Sequence, residues 1–199
     1  MEQERSKQEG WREKKRRETL LRITDSALKL FASDGYEATT LDAIAEAAGI
    51  SRRTFFYYFT SKEEILAAWQ KGLPEAFRVA ALAERTDQPP LDIVRNAHLK
   101  LMAGFDAAQA MMIDRILRSN EQLRASNQSK YLQMEQTTFE VLRDILPEIS
   151  PRKARIVAMT SVGALRLAID TWAEEHGEKP IADYVTEAFN DLRTGLSER

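Results

Sequence analysis

Apolar residues recur at helical spacing along almost the whole chain, and this periodicity constrains the fold more than any other feature. Near the end, Ile181, Tyr184, Val185, Ala188 and Phe189 follow the i, i+3, i+4, i+7, i+8 pattern of one helical face. The 8 glycines and 6 prolines fall mostly between such runs, and no segment shows the alternation of a strand. The sequence therefore predicts an all-α protein of about nine helices, without an internal repeat.

The charges of the chain nearly cancel, with 29 Lys and Arg against 31 Asp and Glu in 199 residues. This balance excludes a histone-like polycation and a highly charged disordered chain. The absence of cysteine excludes disulfides, thiolate zinc sites and a cysteine nucleophile. Uninterrupted apolar runs stop well short of the roughly 20 residues of a membrane span, and residues 1–17 contain no apolar segment like that of a signal peptide. We expect a cytoplasmic protein with no membrane partner.

The punctuation of the helices predicts two domains. We place a first domain at 1–66, in which 1–14 form a basic arm that is either flexible or helical, and a second helical domain at 67–199. Thr39 with Asp42 resembles a capping box, and Ser61 with Glu64 forms a second one. The fourth helix is interrupted at Gly72-Leu73-Pro74, which we interpret as a restart of the helix and not as a hinge.

Residues 39–66 predict two short helices joined by a tight turn at Gly49, a helix-turn-helix. The second helix has about eight residues, roughly 12 Å, a length that the major groove accepts. Its N-terminal end carries Arg52, Arg53 and Thr54, and in this geometry that end faces base edges. Lys62 opens the next helix, where its ammonium and the helix N-terminus both favour a phosphate.

This segment resembles the N-terminal domain of the TetR/AcrR family of bacterial transcriptional repressors. The matching residues are Gly35-Tyr36, Thr39-Thr40, Ile44-Ala45, Ala48-Gly49-Ile50-Ser51, Thr54, Tyr58-Phe59 and Ser61-Lys62-Glu63-Glu64. The resemblance implies an N-terminal three-helix domain that binds DNA, with contacts from Thr40, Ser51, Arg52, Arg53, Thr54, Phe56, Tyr57, Tyr58 and Lys62. Two positions depart from the family pattern: Arg53 stands where many members have a small residue, and Phe56 where tyrosine is common.

Basic charge in this domain is concentrated and not abundant. Residues 1–66 hold 12 Lys and Arg and 12 Asp and Glu, but Arg12 to Arg17 contain five basic residues and one acid. A focused basic face binds phosphates even when the whole domain is neutral. The basic segment is interpreted in two ways, as a solvated extension of the first helix or as an arm that contacts DNA.

The second domain shows no comparable motif, and the resemblance implies ligand binding and dimerisation. We expect the last two helices to form a homodimer as a four-helix bundle, with Gly163 and Ala164 allowing close approach; alternatively, their apolar stripes face only the internal core. The candidate ligand-binding residues are Met102, Phe105, Met111, Met112, Arg115, Tyr131, Met134, Arg166 and Trp172, although methionines and aromatics at this spacing also suit a core. Arg115 lies in an apolar run, so we expect it to be buried and paired with Asp114, Asp170 or an acidic ligand.

The sequence thus favours a dimeric, ligand-responsive transcriptional repressor that binds a palindromic double-stranded DNA operator and is released by a small apolar or amphipathic molecule. Two alternatives remain: an activator of the same fold, or a helical small-molecule-binding module without specific DNA binding. We expect no enzymatic activity, no cofactor and no metal. His98 and His176 lack the i, i+4 partner of a zinc helix, and no nucleotide-binding or hydrolase glycine motif occurs.

Overall fold

A computed structural model describes residues 2–104, 107–119 and 121–195 of the chain. Within these residues it contains nine α-helices and no strand, which confirms the all-α prediction. The helices are α1 (Glu2–Asp34), α2 (Leu41–Ala47), α3 (Arg52–Tyr58), α4 (Lys62–Leu82), α5 (Pro90–Met102), α6 (Ala107–Ser119), α7 (Glu121–Ile145), α8 (Pro151–Glu174) and α9 (Ile181–Gly195). The contacts divide the chain into an N-terminal unit, Met1–Trp69, and a C-terminal unit, Gln70–Arg199.

The core of the N-terminal unit comes from the apolar faces that the periodicity indicated. Ile23, Phe31, Ile44 and Phe55 are at most 1% exposed, and Phe59 is also buried. The helical spacing of Phe55 and Phe59, which turns both towards the first helix, predicts that they belong to the core, and their burial confirms this prediction. The helix α1 begins at Glu2, well before its first apolar residue, because the preceding segment is rich in glutamate, lysine and arginine, which favour helix without needing burial.

The turn chemistry of α2 differs from the sequence prediction by one residue. Thr40, and not Thr39, is the N-cap, and its side chain accepts a hydrogen bond from the backbone N–H of Ala43 at 3.1 Å. The Thr39 hydroxyl is buried and donates to the carbonyl of Gly35 at 2.7 Å. Gly49 follows α2 with φ +64°, a left-handed conformation that glycine adopts without strain and that turns the chain into α3.

The predicted restart of the fourth helix is wrong, because α4 is continuous through Gly72-Leu73-Pro74. A proline inside a helix removes one backbone N–H and costs about 3 kcal/mol. Here Pro74 is itself buried, and the fully buried Phe77 and Ala81 follow on the same helix. Tertiary burial of this face therefore outweighs the local preference for a break.

The core of the C-terminal unit gathers around α8. This helix packs against α5, α7 and α9, and its inner face buries Ala158, Leu165 and Trp172, while Val185 and Phe189 contribute from α9. Ser150 caps α8 by accepting from the Lys153 N–H at 3.2 Å, as the Ser-Pro start predicts.

The opposite face of α8 is apolar as well. Ile156, Met159 and Leu167 are between 49% and 63% exposed, and Gly163 lies exposed between them. As a result α8, unlike the uninterrupted runs considered above, is long and apolar enough by length and composition to cross a membrane, with 33% of its most apolar window buried. Core helices of soluble proteins pass the same test, so this composition alone does not indicate a membrane helix.

Candidate functional site

The helix α3 presents its polar residues outward from a buried aromatic base. Ser51 is the N-cap, and its hydroxyl accepts from the Thr54 N–H at 3.1 Å and lies 2.8 Å from the Thr54 hydroxyl. Arg52, Arg53 and Thr54 are exposed, whereas Phe55 is 0% exposed. The cap therefore starts the helix at the point where three predicted DNA-contact side chains emerge together.

Arg52 is held from both sides. Its Nε lies 3.1 Å from an Asp42 carboxylate oxygen on α2, and its guanidinium lies 5.5 Å from the centre of the Phe56 ring. Both members of the ion pair are exposed, so the pair orients Arg52 more than it stabilises the fold. Asp42 is a residue that the sequence reasoning assigned only to capping. Such a pair is indicated in the sequence by an acidic residue near the start of the first helix of a helix-turn-helix and an arginine at the start of the second.

The remaining aromatic candidates differ in exposure. Tyr57 is 77% exposed and packs edge-on against Tyr58, which is half-buried, with ring centres 5.3 Å apart. Phe56 is 39% exposed and offers an apolar edge. Thr40 is exposed too, with its hydroxyl already accepting a bond in the cap of α2. Tyr57 is thus the aromatic side chain with most freedom to meet a nucleic acid.

Lys62 has an internal role that the sequence did not reveal. Its ammonium donates to the backbone carbonyls of Tyr36, at 2.5 Å, and Glu37, at 3.3 Å, and lies 4.4 Å from the centre of the Tyr36 ring. The Tyr36 hydroxyl in turn donates to Glu63 at 2.8 Å. A phosphate contact from Lys62 would have to share these bonds. The capping box beside it forms in a variant way: Ser61 accepts from the Glu64 N–H, and Glu64 accepts from Thr60.

The predicted ligand-binding residues do not share one environment in the C-terminal unit. Met134 and Trp172 are buried in the core, and four others are half-buried: Met102, Met111, Met112 and Tyr131. Arg115 and Arg166 are exposed. Phe105 lies outside the described residues. The set therefore contains core residues and surface residues together.

The prediction that Arg115 is buried is wrong, because α6 is amphipathic and turns this residue outward. Arg118, one turn later, takes the pairing instead: it donates to Asp114 at 2.6 Å and to Asp170 of α8 at 2.8 Å. Both carboxylates had been named as partners for the wrong arginine. The apolar neighbours of Arg115 did not indicate which side of α6 it faces. Ile113, Ile116 and Leu117 form the buried side of the helix without it.

Lys130 of α7 belongs to the same neighbourhood. Its ammonium lies 4.1 Å from the centre of the Tyr131 ring, with Arg166 5.7 Å from the same ring centre. Burial lowers the pKa of Lys130 to about 8, although the charges of Asp114 and Asp170 oppose the shift. We name the α6–α8 charge cluster by its five charged members, which are Asp114, Arg118, Lys130, Arg166 and Asp170.

Four side chains of this unit have a buried polar atom with no hydrogen-bond partner among the described residues. They are Gln70 through Oε1, Glu84 through Oε1, His98 through Nε2 and Trp172 through Nε1, and the Glu84 oxygen forms an ion pair with Lys100. His98 is 1% exposed and stacks on Phe77 at 4.5 Å. Burial, and then the charge of Lys130, lower its pKa to about 3, so the imidazole is neutral at physiological pH.

Sequence reasoning missed Lys130 and assigned His98 only to core or surface. A signal for Lys130 exists: it lies one turn before Met134 and two turns before the buried Thr138, on the apolar stripe of α7. A lysine on the buried stripe of a helix is rare enough to mark a candidate site.

Comparison with known proteins connects both units to one family. Residues 23–69 match the model of the bacterial regulatory proteins of the tetR family, and residues 88–197, more than half of the chain, match the model of the MftR C-terminal domain. The transcriptional regulator TcmR of Streptomyces glaucescens is 32% identical over 134 residues, which cover 63% of this chain and 59% of TcmR. The putative mycofactocin biosynthesis transcriptional regulator MftR of Mycobacterium tuberculosis is 26% identical over 185 residues, covering 87% of this chain and 89% of MftR.

Solved structures share the fold. FadR of Thermus thermophilus, a TetR family repressor, matches with a TM-score of 0.61 and 21% identity over 90% of this chain and 96% of its own. FadR of Bacillus halodurans matches with a TM-score of 0.63 and 23% identity over 91% and 97%. The relatives are named as transcriptional regulators and not as enzymes, in agreement with the sequence interpretation. The two family models and the helix-turn-helix geometry of α2 and α3 show that this chain belongs to the TetR family of bacterial regulatory proteins.

Proposed function

We propose that this protein is a dimeric transcriptional repressor that binds a palindromic operator through α3 and releases it when a small molecule binds the C-terminal unit. The observation that carries the proposal is the capped N-terminal end of α3, where Arg52, Arg53 and Thr54 emerge from a helix whose Phe55 is fully buried. Arginine binds the O6 and N7 of guanine through two hydrogen bonds, and a threonine methyl contacts the methyl of thymine. Tyr57 is placed to bond a phosphate or a base edge.

The exposed apolar face of α8 supports the homodimer. Ile156, Met159 and Leu167 are spaced at i, i+3 and i+11, and Gly163 between them allows two helices to approach closely. The outer face of α9 is polar, with Asp183, Glu187 and Asn190 exposed, so α8 contributes most of the apolar area of this surface. A dimer would place two α3 helices in successive major grooves, about 34 Å apart.

Release by an effector follows from linkage. A molecule that favours a state with the wrong spacing of the two α3 helices lowers operator affinity, and the operator lowers effector affinity by the same factor. Lauroyl-CoA and stearoyl-CoA, bound by the FadR proteins of T. thermophilus and Bacillus subtilis, are amphipathic molecules held by this fold. The residues of this chain support an apolar or amphipathic effector, since Met111, Met112 and Tyr131 are half-buried beside the α6–α8 charge cluster.

The test begins with selection of bound fragments from random DNA by the full chain, followed by titration of the selected operator and a scrambled sequence. Arg52→Ala is expected to weaken operator binding by about 1–3 kcal/mol and to reduce the preference over scrambled DNA. Arg85→Ala is the matched control, because Arg85 is also an exposed arginine paired with an aspartate, Asp87, but lies in the C-terminal unit.

The outcomes separate the alternatives. If no sequence is enriched while small molecules bind, the protein is a binding module without specific DNA recognition. If Arg52→Ala and Arg85→Ala behave alike, the assignment of α3 as the reading helix is wrong. A selected operator that lies upstream of a promoter, where bound protein increases transcription, would indicate an activator.

A further inference from the structure

The α6–α8 charge cluster holds one more positive charge than it neutralises. Its two carboxylates, Asp114 and Asp170, both accept hydrogen bonds from Arg118, and Arg166 lies 3.9 Å from Asp170. Three cations against two carboxylates leave a formal surplus of one. The surplus falls on Lys130, because no carboxylate of the described residues lies within 4 Å of its ammonium.

The Lys130 ammonium loses part of its contact with water in the folded protein, which disfavours its charged form. The side chain is half-buried, lies on the stripe of α7 that continues into the buried Met134, and is covered by the Tyr131 ring. A cation taken out of water destabilises the protein unless a counter-charge or hydrogen bonds compensate. Arg118 already bonds both nearby aspartates, so their carboxylates act on the Lys130 ammonium only through their charge and not through a direct ion pair.

A second, independent observation lies in the same interior. The imidazole of His98 is 1% exposed and its Nε2 has no partner within the described part of the chain. The field of Lys130 reaches this ring. Gln70, also fully buried, donates to Asn127 at 3.1 Å and leaves its Oε1 without a partner; Asn127 lies one turn before Lys130 on α7. Buried polar atoms of native proteins nearly always have partners, so two such atoms on side chains that interact with this part of α7 indicate a polar group that the described residues do not provide.

We propose that the effector carries a single negative charge, a carboxylate, which the Lys130 ammonium binds, with His98 offering a further hydrogen bond and Phe77 and Met134 contacting an apolar body. The inference rests on the proposed function, because it names the chemical class of the same effector. The surplus of one charge matches a monoanion. The Phe77 ring stacks on His98 and belongs to the apolar core of this unit. Apolar side chains therefore lie directly beside the polar groups that would bind the carboxylate.

The test uses pairs of probes that differ only in the charged group. Octanoate and dodecanoate are compared with octan-1-ol and dodecan-1-ol, and benzoate with benzyl alcohol, in calorimetric titrations of the full chain. We expect at least one carboxylate to bind tenfold or more tightly than its alcohol, and Lys130→Met to remove this preference. Lys153→Met, which replaces an exposed lysine of α8, is the control and should retain it.

Lys130→Arg and the pH dependence keep the inference falsifiable if Lys130→Met folds poorly. Arginine retains the charge, so the preference for carboxylates should survive. In the unchanged protein, binding at pH 8.5 should take up most of one proton, because the free Lys130 is largely neutral there and a bound carboxylate restores its charge. The titratable and charged groups that face Lys130 are Asp114, Arg118, Arg166, Asp170, Tyr131 and His98. Lys130→Arg should abolish the uptake, because arginine stays protonated at this pH.

Failure of this inference can be distinguished from failure of the proposed function. If alcohols bind as tightly as carboxylates and release the operator, the repressor stands and the anionic effector is wrong. If no carboxylate binds, or if its preference persists in Lys130→Met, the assignment of Lys130 is overturned. If random DNA yields no operator, the repressor itself fails, whatever the probes do.

Discussion

The two units of this protein carry their candidate functional groups in opposite ways. In the N-terminal unit the buried ring of Phe55 supports α3, and the candidate groups Arg52, Arg53 and Tyr57 are exposed to water. In the C-terminal unit the polar Nε2 of His98 is buried without a hydrogen-bond partner among the described residues, and the apolar Leu167 is 63% exposed. The candidate groups of the N-terminal unit are therefore polar side chains that water already satisfies, whereas those of the C-terminal unit include a buried polar atom and an exposed apolar face.

A physical reason follows from the partners that we propose for each unit. A nucleic acid is polar and charged, so groups that read it are compatible with water before binding. A second protein copy and a small amphipathic molecule bring their own apolar or charged surface, so the groups that meet them are poorly satisfied in the isolated chain. Three measurements test this difference between the units.

The largest effect is expected on the exposed apolar face of α8. Leu167→Glu would place a carboxylate in an apolar dimer interface at a cost of about 3 kcal/mol or more, so dimerisation should weaken at least about 100-fold. Operator affinity should fall with it, because two half-sites can no longer be bound by one dimer. Analytical ultracentrifugation and operator titration give both values.

Leu132→Glu is the matched control, since Leu132 is a 68% exposed leucine of α7. If Leu167→Glu leaves the dimer as stable as Leu132→Glu does, the apolar face of α8 is not an interface and its exposure loses its functional meaning.

A smaller effect is expected from the buried imidazole. The pKa of His98 is lowered from 6.5 to about 3 by burial, and then by the charge of Lys130. Below pH 6.5 the unfolded chain therefore binds a proton that the folded protein does not bind until about pH 3. The folded state should lose about 2 kcal/mol between pH 7 and pH 5 from this group. His98→Phe, which retains a ring against Phe77, should remove that loss in urea unfolding at the two pH values.

His176 provides the control, because the chain has 2 histidines and this one is exposed. Asparagine tolerates its positive φ of 54°, so His176→Asn should preserve the acid sensitivity of the unchanged protein. An equal acid sensitivity in His98→Phe would mean that His98 is not buried as a neutral imidazole.

The smallest effect concerns Lys62, where the N-terminal unit uses a cation internally. Lys62→Met removes the bonds to the carbonyls of Tyr36 and Glu37 and should destabilise this loop by about 1 kcal/mol, which speeds amide exchange of residues 35–45 roughly fivefold. Operator and scrambled DNA should be bound less tightly by similar factors. Hydrogen-exchange mass spectrometry measures the first effect and titration the second.

Lys29→Met, which removes an exposed i, i+4 pair with Asp25 on α1, should change neither quantity measurably. If Lys62→Met leaves amide exchange unchanged but weakens DNA binding, the internal role of Lys62 is wrong and the phosphate contact predicted from the sequence is supported.

Local chemistry determined much of this protein. Helical periodicity predicted about nine helices, and the described residues contain nine. The contiguous run from Thr39 to Glu64 indicated the helix-turn-helix, because its caps, its turn glycine and its aromatic base are all set by near neighbours. The one-residue shift of the α2 cap shows the limit: Thr39 and Thr40 are equally able to cap, and only the burial of Thr39 against the Gly35 carbonyl decides between them.

Other features depend on residues far apart in the chain and were therefore not predictable before the helices packed together. Burial of Pro74 and Phe77 kept α4 continuous where the sequence favoured a break. The phase of α6 turned Arg115 outward and let Arg118 bridge Asp114 to Asp170, a residue of α8 52 positions further along. By occupying those carboxylates, Arg118 leaves Lys130 as the surplus cation. No local pattern reports such a surplus, since it is a sum of charges that α6, α7 and α8 bring together only on folding.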